Sequence, residues 1–383
     1  MTEANRARVL VAGVATRALA VSAARAGYRV TAVDPFGDLD LRAKAEVIAL
    51  RPDRGTRYSP LVAALAAEEV DASLAVYTSN FENHPDAVAR LSQRRHLLGN
   101  PPEVLLRVRD PIGLMRALRR RGFATPRTRS TPVTEPGVGS WLLKPRRSGG
   151  GHGTAVWRRG RPVPRTSYLQ EQIDGIPGSV IFAADGPSAV PLGLTRQLVG
   201  DAHFGARGFR YCGSLLGPGL FPHQAELFHA AASLAAAVTA EFCLVGLNGL
   251  DFIARDGVPY PIEVNPRFSA SMELAERALG LSMFQLHERA CRGTLPAPPL
   301  PSAAVEGKAI VFARRDVTLG ETRPWMNDPS LADIPHPGER IAQGHPICTV
   351  FAKGSSAASC HRLLVRRAAG VYRVAESRSR GAA

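Results

Sequence analysis

Residues 246–271, GLNGLDFIARDGVPYPIEVNPRFSAS, concentrate oxygen donors and cations at strand spacing. Residues 250–254 read as a strand, Arg255, Asp256 and Gly257 as a turn, and residues 260–264 as the returning strand. Such a hairpin brings Asp251 near Glu263, and the two-residue period puts Glu263 and Asn265 on one face. Two carboxylates and an amide oxygen make a hard oxygen cluster suited to Mg²⁺ or Mn²⁺, of the kind that nucleotide phosphates and water complete. Arg267 follows, placed for a substrate carboxylate or a transferring phosphoryl group. A hairpin with mere surface charges explains Glu-x-Asn-Pro-Arg poorly.

A second segment, residues 141–157, reads WLLKPRRSGGGHGTAVW. A strand ending at Lys144 leads into Ser148, Gly149, Gly150, Gly151, His152 and Gly153. Glycines let backbone amides approach phosphate oxygens and form an anion nest, and Lys144 adds a point charge. Taken alone, the loop also suits a flexible hairpin, the less favoured of the two readings. Lys144 is one of only four lysines in an arginine-dominated chain, which favours a position where an ammonium is required. A third segment, residues 168–186, runs through Glu171, Gln172 and Ile173 into DGIPG and a further strand, and suits either an adenine site or an ordinary hairpin. Residues 193–217 read as strand, loop and strand; Arg196, Arg210, Tyr211 and Gly213 could line an acceptor site for an anion. Glu82, just past a strand, is placed to contact an amine or simply to sit in a helix-cap region. His152 reads as polar filler rather than a base.

The elements that must position these residues follow from the punctuation. An apolar run at 8–12, a helical pattern to Ala26, Gly27 and YRVTAVD form a β-α-β unit of the doubly wound kind. Residues 41–50 read as helix or loop, 59–68 as helix and 72–77 as a strand. Residues 78–85 then fall at a strand's carboxyl end, where open α/β sheets bind ligands. The first turn, GVATRA, has only Gly13, so a dinucleotide fingerprint is absent and Asp34 reads as a strand end. Asp110 and Pro111 open a helix that Gly122 stops. Residues 125–140 read as a linker, 225–241 as an Ala-rich helix, and the Pro/Ala run after about 293 as a second linker. Strand-like runs then follow (KAIVFARRDV, PICTVFAKG, GVYRVAE), and the tail from Glu376 is expected to be disordered.

The chain has 383 residues and a net charge of +15, from 48 Lys and Arg against 33 Asp and Glu. The basic residues are scattered, so most of the charge reads as solvated surface, some of it attracting anionic substrates. Nucleic-acid binding rests on that charge alone, with no aromatic-basic RNA motif behind it. Five cysteines without a C-x-x-C point to reduced, mostly buried thiols. No signal-peptide pattern and no long apolar run stands out, so a soluble cytoplasmic protein is expected.

The order K-P…GGGxG, E-x-x-x-G, D…E-x-N-P-R resembles the ATP-grasp superfamily, and looks closest to its carboxylate–amine ligase and predicted carboligase branch, over about residues 100–292. The resemblance implies an α/β architecture: a Rossmann-like pre-ATP-grasp domain at 1–105, then an ATP-grasp domain at 106–295 with a central lobe near 125–185 and a C-terminal lobe near 186–295. A β-rich extension at 296–375 and a tail at 376–383 complete the expected organisation. It also implies ATP and Mg²⁺, transfer of the γ-phosphoryl to a carboxylate, and attack of an amine on the acyl phosphate. Carried over, Lys144 contacts phosphates beneath the mobile loop 148–153, Glu171 to Ile173 hold adenine, Asp251, Glu263 and Asn265 bind metal, and Arg267 stabilises the acyl phosphate. Two positions depart. Pro111 stands where many relatives carry a lysine, leaving that phosphate contact missing or supplied by Arg109 or Arg116. Ser179 stands where an acidic ribose contact is frequent. Poorly characterised members are thought to serve one-carbon cofactor pathways, which would make glutamate the amino acid joined. Relatives are often homodimers. The competing expectations are a regulatory or scaffold ATP-binder, which Pro111 favours and the acidic cluster opposes, and a carboxylase-type ligase.

Overall fold

The computed structural model describes residues 7–131, 137–298 and 303–377. Strands β1 (Arg8–Ala12), β2 (Arg29–Asp34), β3 (Glu46–Ala49), β4 (Leu74–Tyr77) and β5 (His96–Leu98) form one parallel sheet in the order β3-β2-β1-β4-β5. Helices α1 (Arg17–Arg25), α2 (Leu39–Arg42), α3 (Pro60–Ala67) and α4 (Pro85–Ser92) connect them. The chain crosses to opposite sides of β1, so the switch point lies at the carboxyl ends of β1 and β4, where such sheets open a crevice. Gly13 leaves β1 there; a Cβ on it would stand 2.0 Å from Thr78 Oγ1. The segment read as helix or loop at 41–50 takes in the end of α2 and strand β3, whose four residues are too few to declare a period.

Helices α5 (Pro102–Val108) and α6 (Pro111–Arg120) lead out of this unit. Asp110 caps α6 as expected, accepting from the amides of Ile112 and Gly113. A four-stranded antiparallel sheet follows, in the order β6-β9-β7-β8, from β6 (Thr128–Ser130), β7 (Trp141–Pro145), β8 (Ala155–Val156) and β9 (Ser167–Glu171). Strand β6 falls inside the segment read as a linker, of which 132–136 lie outside the described residues.

The largest sheet has eight strands in the order β14-β13-β10-β11-β12-β15-β19-β17. It contains β10 (Ile176–Asp185), β11 (Ala189–Val199), β12 (Tyr211–Leu216), β13 (Val245–Arg255), β14 (Val258–Asn265), β15 (Val305–Phe312), β17 (Leu331–Ala332) and β19 (Pro346–Gly354); β16 (Val317–Thr318) and β18 (Arg340–Ile341) pair separately. Side-chain alternation divides the packing. Val180, Phe182, Leu194 and Leu250 pack with Leu227, Leu234 and Val238 of α7 (Gln224–Phe242). Ile181, Ala183 and Leu247 join Leu274 of α8 (Met272–Leu279) and Phe284 of α9 (Met283–Cys291) in a cluster that also takes in Val9 and Val30 of the N-terminal unit. Burial on both faces is the hydrophobic driving force that seats this sheet.

Strands β15, β19 and β17 of the C-terminal extension continue the same large sheet. The run GVYRVAE is not a strand but the end of helix α10 (Ala357–Ser377). Cys360, Leu364, Ala368, Val371, Tyr372 and Ala375 are its buried residues, and that three-and-four spacing is helical. Glu376 therefore continues a helix, while 378–383 lie outside the described residues. The cysteines are free, with Cys212, Cys348 and Cys360 buried, Cys291 half-buried and Cys243 exposed.

Candidate active site

The hairpin of β13 and β14 turns on Asp256 and Gly257, both at positive φ (52° and 76°), the backbone a two-residue hairpin turn needs. From that turn the strands pair Arg255 with Val258 and Phe252 with Pro261; then the register slips by one residue, and Asp251 pairs with Glu263. The bulge is what puts the two carboxylates face to face, since unbroken pairing would set Ile262 opposite Asp251. Cross-strand pairs continue the row: Asp251 faces Ser179 on β10, and Ser179 faces Thr195 on β11. Asn265 Nδ2 donates to Asp251 Oδ2 at 3.1 Å. Burial first, then the charge of Glu263, push the Asp251 carboxyl up to about 6, against hydrogen bonds from Ser179, Gln197 and Asn265. Two carboxylates that repel at one face are the donor set of a hard divalent cation, and they fit Mg²⁺.

Two arginines frame this pair and tie it to the N-terminal unit. Arg109 donates through Nη1 to Glu263 Oε2 (3.1 Å) and the Val264 carbonyl (2.9 Å), through Nε and Nη2 to Asn83 Oδ1 (3.2 and 3.0 Å), and through Nη2 to the Ser148 carbonyl (3.1 Å). Arg267 donates to Glu82 Oε1 at 2.7 Å and to Asn265 Oδ1 at 3.3 Å. Glu82 and Asn83 are neighbours on one 3-10 turn, Phe81–Asn83, past the end of β4. Burial raises the Glu82 carboxyl, but the charge and hydrogen bond of Arg267 and the charge of Arg109 outweigh it and hold it below the ordinary carboxylate range. Glu82 is 1% exposed, yet its Oε2 has no protein partner; nor do the buried Thr78 Oγ1, Tyr58 hydroxyl and Arg267 Nε. Buried polar atoms without partners at a switch point are what a bound ligand or water satisfies.

Lys144, one residue before the end of β7, donates to Gln170 Oε1 (3.0 Å), whose Nε2 reaches the carbonyl of the bulge residue Ile262 (3.4 Å). The small sheet thus closes on the large one above the carboxylates. In the glycine loop, Gly150, Gly151 and Gly153 have φ of 60°, 76° and 73°, and the Tyr211 amide donates to the Gly150 carbonyl (3.0 Å). Ser148 Oγ donates to the His152 carbonyl (2.5 Å), and burial, Arg210 and His345 push the His152 imidazole below its ordinary value. Glu171 is clamped by Arg127, accepting from its amide (3.0 Å) and its Nη2 (2.9 Å), so the carboxylate is already engaged. The Gln172 amide donates to the Ser140 carbonyl (2.9 Å), and Ile173 is half-buried beside it.

Ser179 is buried and lends its hydroxyl to Asp251, because its register position fixes it beside that residue. Arg196 pairs with Gly178 and Leu215, one residue out of step with the Asp251 row, and so lies on the opposite face of the sheet. Arg210 donates to the Gly344 carbonyl (2.6 Å) and stacks over Phe312 (4.4 Å), which fixes the loop rather than leaving a free cation. Tyr211 bonds Ser214 (2.8 Å), and burial and the charges of Asp251 and Glu273 raise its hydroxyl. Arg116 is exposed on α6, leaving Arg109 as the arginine beside the cluster. Sequence reasoning missed a network in which Arg17 of α1 bonds Glu273 and Asp333 (2.8 Å), and Lys308 bonds Glu273 (2.7 Å). Arg17 and Lys308 overcome burial and hold the Glu273 carboxyl far below its ordinary range. Its parts lie in four separate segments, so no local signal could reveal it.

Residues 108–271 match the ATP-grasp domain family. This chain carries an ATP-grasp domain. A relative, an uncharacterized protein of Methanocaldococcus jannaschii, is 30% identical over 118 residues, covering 30% of this chain; the match spans 28% of that protein's length. The biotin carboxylase domain of a single-chain bacterial carboxylase superposes with a TM-score of 0.71 at 18% identity, over 95% of this chain and 88% of that one. An L-amino acid ligase from Bacillus licheniformis gives 0.66 at 15% identity, over 96% and 98%. The superpositions establish an ATP-grasp fold with a Rossmann-like unit before it. Within that domain, Arg109 lies beside Glu263, so a cation stands at the cluster although Pro111 opens α6.

Proposed function

We propose that this chain is an ATP- and Mg²⁺-dependent ligase that forms ADP and phosphate while joining a carboxylate to an amine. The observation that carries the proposal is the cross-strand Asp251–Glu263 pair framed by Arg109 and Arg267. The ATP-grasp match, and the L-amino acid ligase among the similar folds, support the reaction class. Asp251, Glu263 and Asn265 would hold Mg²⁺, which when bound neutralises phosphate charge. Lys144, Arg109 and the amides of 148–153 would hold the ATP phosphates, and the backbone of Glu171 to Ile173 the adenine. Arg267 would face the substrate carboxylate. In the first half-reaction a carboxylate oxygen bonds to the γ-phosphorus as the bond to ADP breaks; in the second, the neutral amine nitrogen bonds to the acyl carbon as phosphate leaves, and the proton lost from nitrogen passes to the released phosphate or water. The positions of the two arginines stabilise the charge that develops in both. Glu82 Oε2, buried and unpartnered, would orient the incoming amine. Glutamate is the first amino acid to assay.

A carboxylase-type reaction, with bicarbonate as the carboxylate, is the second reading, supported by the biotin carboxylase fold match. The deciding experiment measures ADP and phosphate release from Mg·ATP with fractionated pools of small metabolites, with and without bicarbonate, in wild type and Glu263→Ala. Release that depends on a carboxylate and an amine, and is lost in the variant, supports the ligase; dependence on bicarbonate transfers support to the carboxylase. AMP and pyrophosphate as products, or no ATP binding, overturn both.

A further inference from the structure

Away from the carboxylate pair, a second group of ligating side chains converges. Asp201 follows β11 and opens the 3-10 turn Ala202–Phe204; His203 is on that turn, and His361 is on α10. Asp201 Oδ1 accepts from the His203 amide (2.9 Å) and lies 2.8 Å from His203 Nδ1, while Oδ2 lies 2.7 Å from His361 Nε2. The three ligand atoms lie within 4.8 Å of one another.

We propose that Asp201, His203 and His361 bind a divalent transition-metal ion of the zinc class. Two imidazole nitrogens and one carboxylate oxygen are the donor set such ions take, with water or substrate as the fourth ligand, and they suit zinc better than Mg²⁺. Ligands in such sites stand about 2.0–2.2 Å from the ion, so the His203 and His361 hydrogen bonds to Asp201, at 2.8 and 2.7 Å, must open slightly to admit it. The His203 side chain is 61% exposed and free to make it. Its partners are already set: Asp201 is fixed by the His203 amide, the His361 ring packs edge-on against Phe204 (5.7 Å), and Arg314 holds the His203 carbonyl (3.1 Å). Such outer contacts orient ligands before the metal arrives.

The site has a position of consequence. Asp201 and His203 belong to the β11–β12 loop, whose far end reaches the glycine loop through Phe209, Arg210 and the Tyr211 amide. The ion would clasp that loop to α10, tying a phosphate-side loop to the C-terminal helix. Asp251 and Glu263 belong to a different, all-oxygen site and take no part.

The test is calorimetric titration of the full chain with Zn²⁺ in saturating Mg²⁺, for wild type, His203→Gln, His361→Gln and Glu263→Ala. One strong equivalent is expected in wild type and in Glu263→Ala. It should weaken in each histidine variant by more than the roughly 10–100-fold that loss of an outer-shell partner causes. Chelator should lower the melting temperature of wild type but not of His203→Gln. Because His203 is exposed, that variant decides the question even if His361→Gln fails to fold. No strong equivalent in wild type, or one that persists undiminished in His203→Gln, overturns the proposal.

Discussion

Arg109 and Glu263 meet at 3.1 Å across 154 residues of sequence, and the same guanidinium holds Asn83 and the carbonyl of Ser148. One side chain therefore touches the N-terminal unit, the glycine loop and the carboxylate cluster. Replacing it with alanine removes the cation nearest the expected phosphates. With ATP as substrate, turnover of Arg109→Ala should fall about 100- to 1,000-fold, the loss seen when one preorganised donor is removed. Arg109→Lys should recover part of it, as a point charge without the fork. ADP release at saturating Mg·ATP measures both.

Asp251 gives the cluster a pH dependence. Its folded-state value is raised from the ordinary 3.8 to about 6, so the folded chain holds a proton that the unfolded chain has already released. Stability without metal is thus greatest below the unfolded value and falls as pH rises through about 6. Asp251→Asn should flatten that fall, giving a metal-free variant that melts higher than wild type above pH 6 and yet binds Mg²⁺ poorly. Wild-type Mg²⁺ affinity should increase over the same interval, because the carboxylate must be ionised to ligate. Melting curves and Mg²⁺ titrations from pH 4 to 8 check the window.

The legible parts of the site were those with short-range grammar. Asp256-Gly257 announces a tight turn, and counting residues back from it brings Asp251 and Glu263 near one another. The bulge that aligns them carries no residue signature of its own; Ile262 is an ordinary strand residue. The contact of Ser179 with Asp251 is fixed by a strand register that the motif does not state. Helix α10 was obscured by valines and a tyrosine that suit strands, although its buried residues keep helical spacing. The Arg17–Glu273 contact joins residues 256 positions apart, and only folding reveals it.

Glu82 is the counter-ion of buried Arg267. Glu82→Ala leaves that guanidinium without its charge partner and should cost about 3–5 kcal/mol of stability, read from denaturant unfolding. Glu82→Gln keeps the shape and a hydrogen-bonding oxygen. It should fold, and raise the KM for the amine about tenfold while leaving the KM for ATP within twofold, if its free oxygen orients the amine. Equal changes in both constants would remove Glu82 from the amine side.

Arg196 tests the sheet's alternation directly. It lies on the face away from Asp251, so Arg196→Ala should leave turnover and both KM values within about twofold of wild type, as expected of a substitution remote from the chemistry. A loss of tenfold or more would mean that the side chain reaches the acceptor after all.

The glycine loop offers a matched pair of substitutions. At Gly151 φ is +76°, and a Cβ would stand 1.8 Å from the Phe209 carbonyl oxygen. Gly151→Ala must both strain the backbone, at about 1–2 kcal/mol for a left-handed residue, and push the loop off the β11–β12 loop. Gly149 has no such constraint, with nothing within 4 Å of a Cβ. If docking of this loop sets the phosphate site, Gly151→Ala should raise the KM for ATP by about tenfold or more, while Gly149→Ala changes it by less than about threefold. The comparison separates docking from flexibility: a loop that merely needs to be supple would suffer similarly from either alanine, whereas a loop that must seat against Phe209 suffers from one.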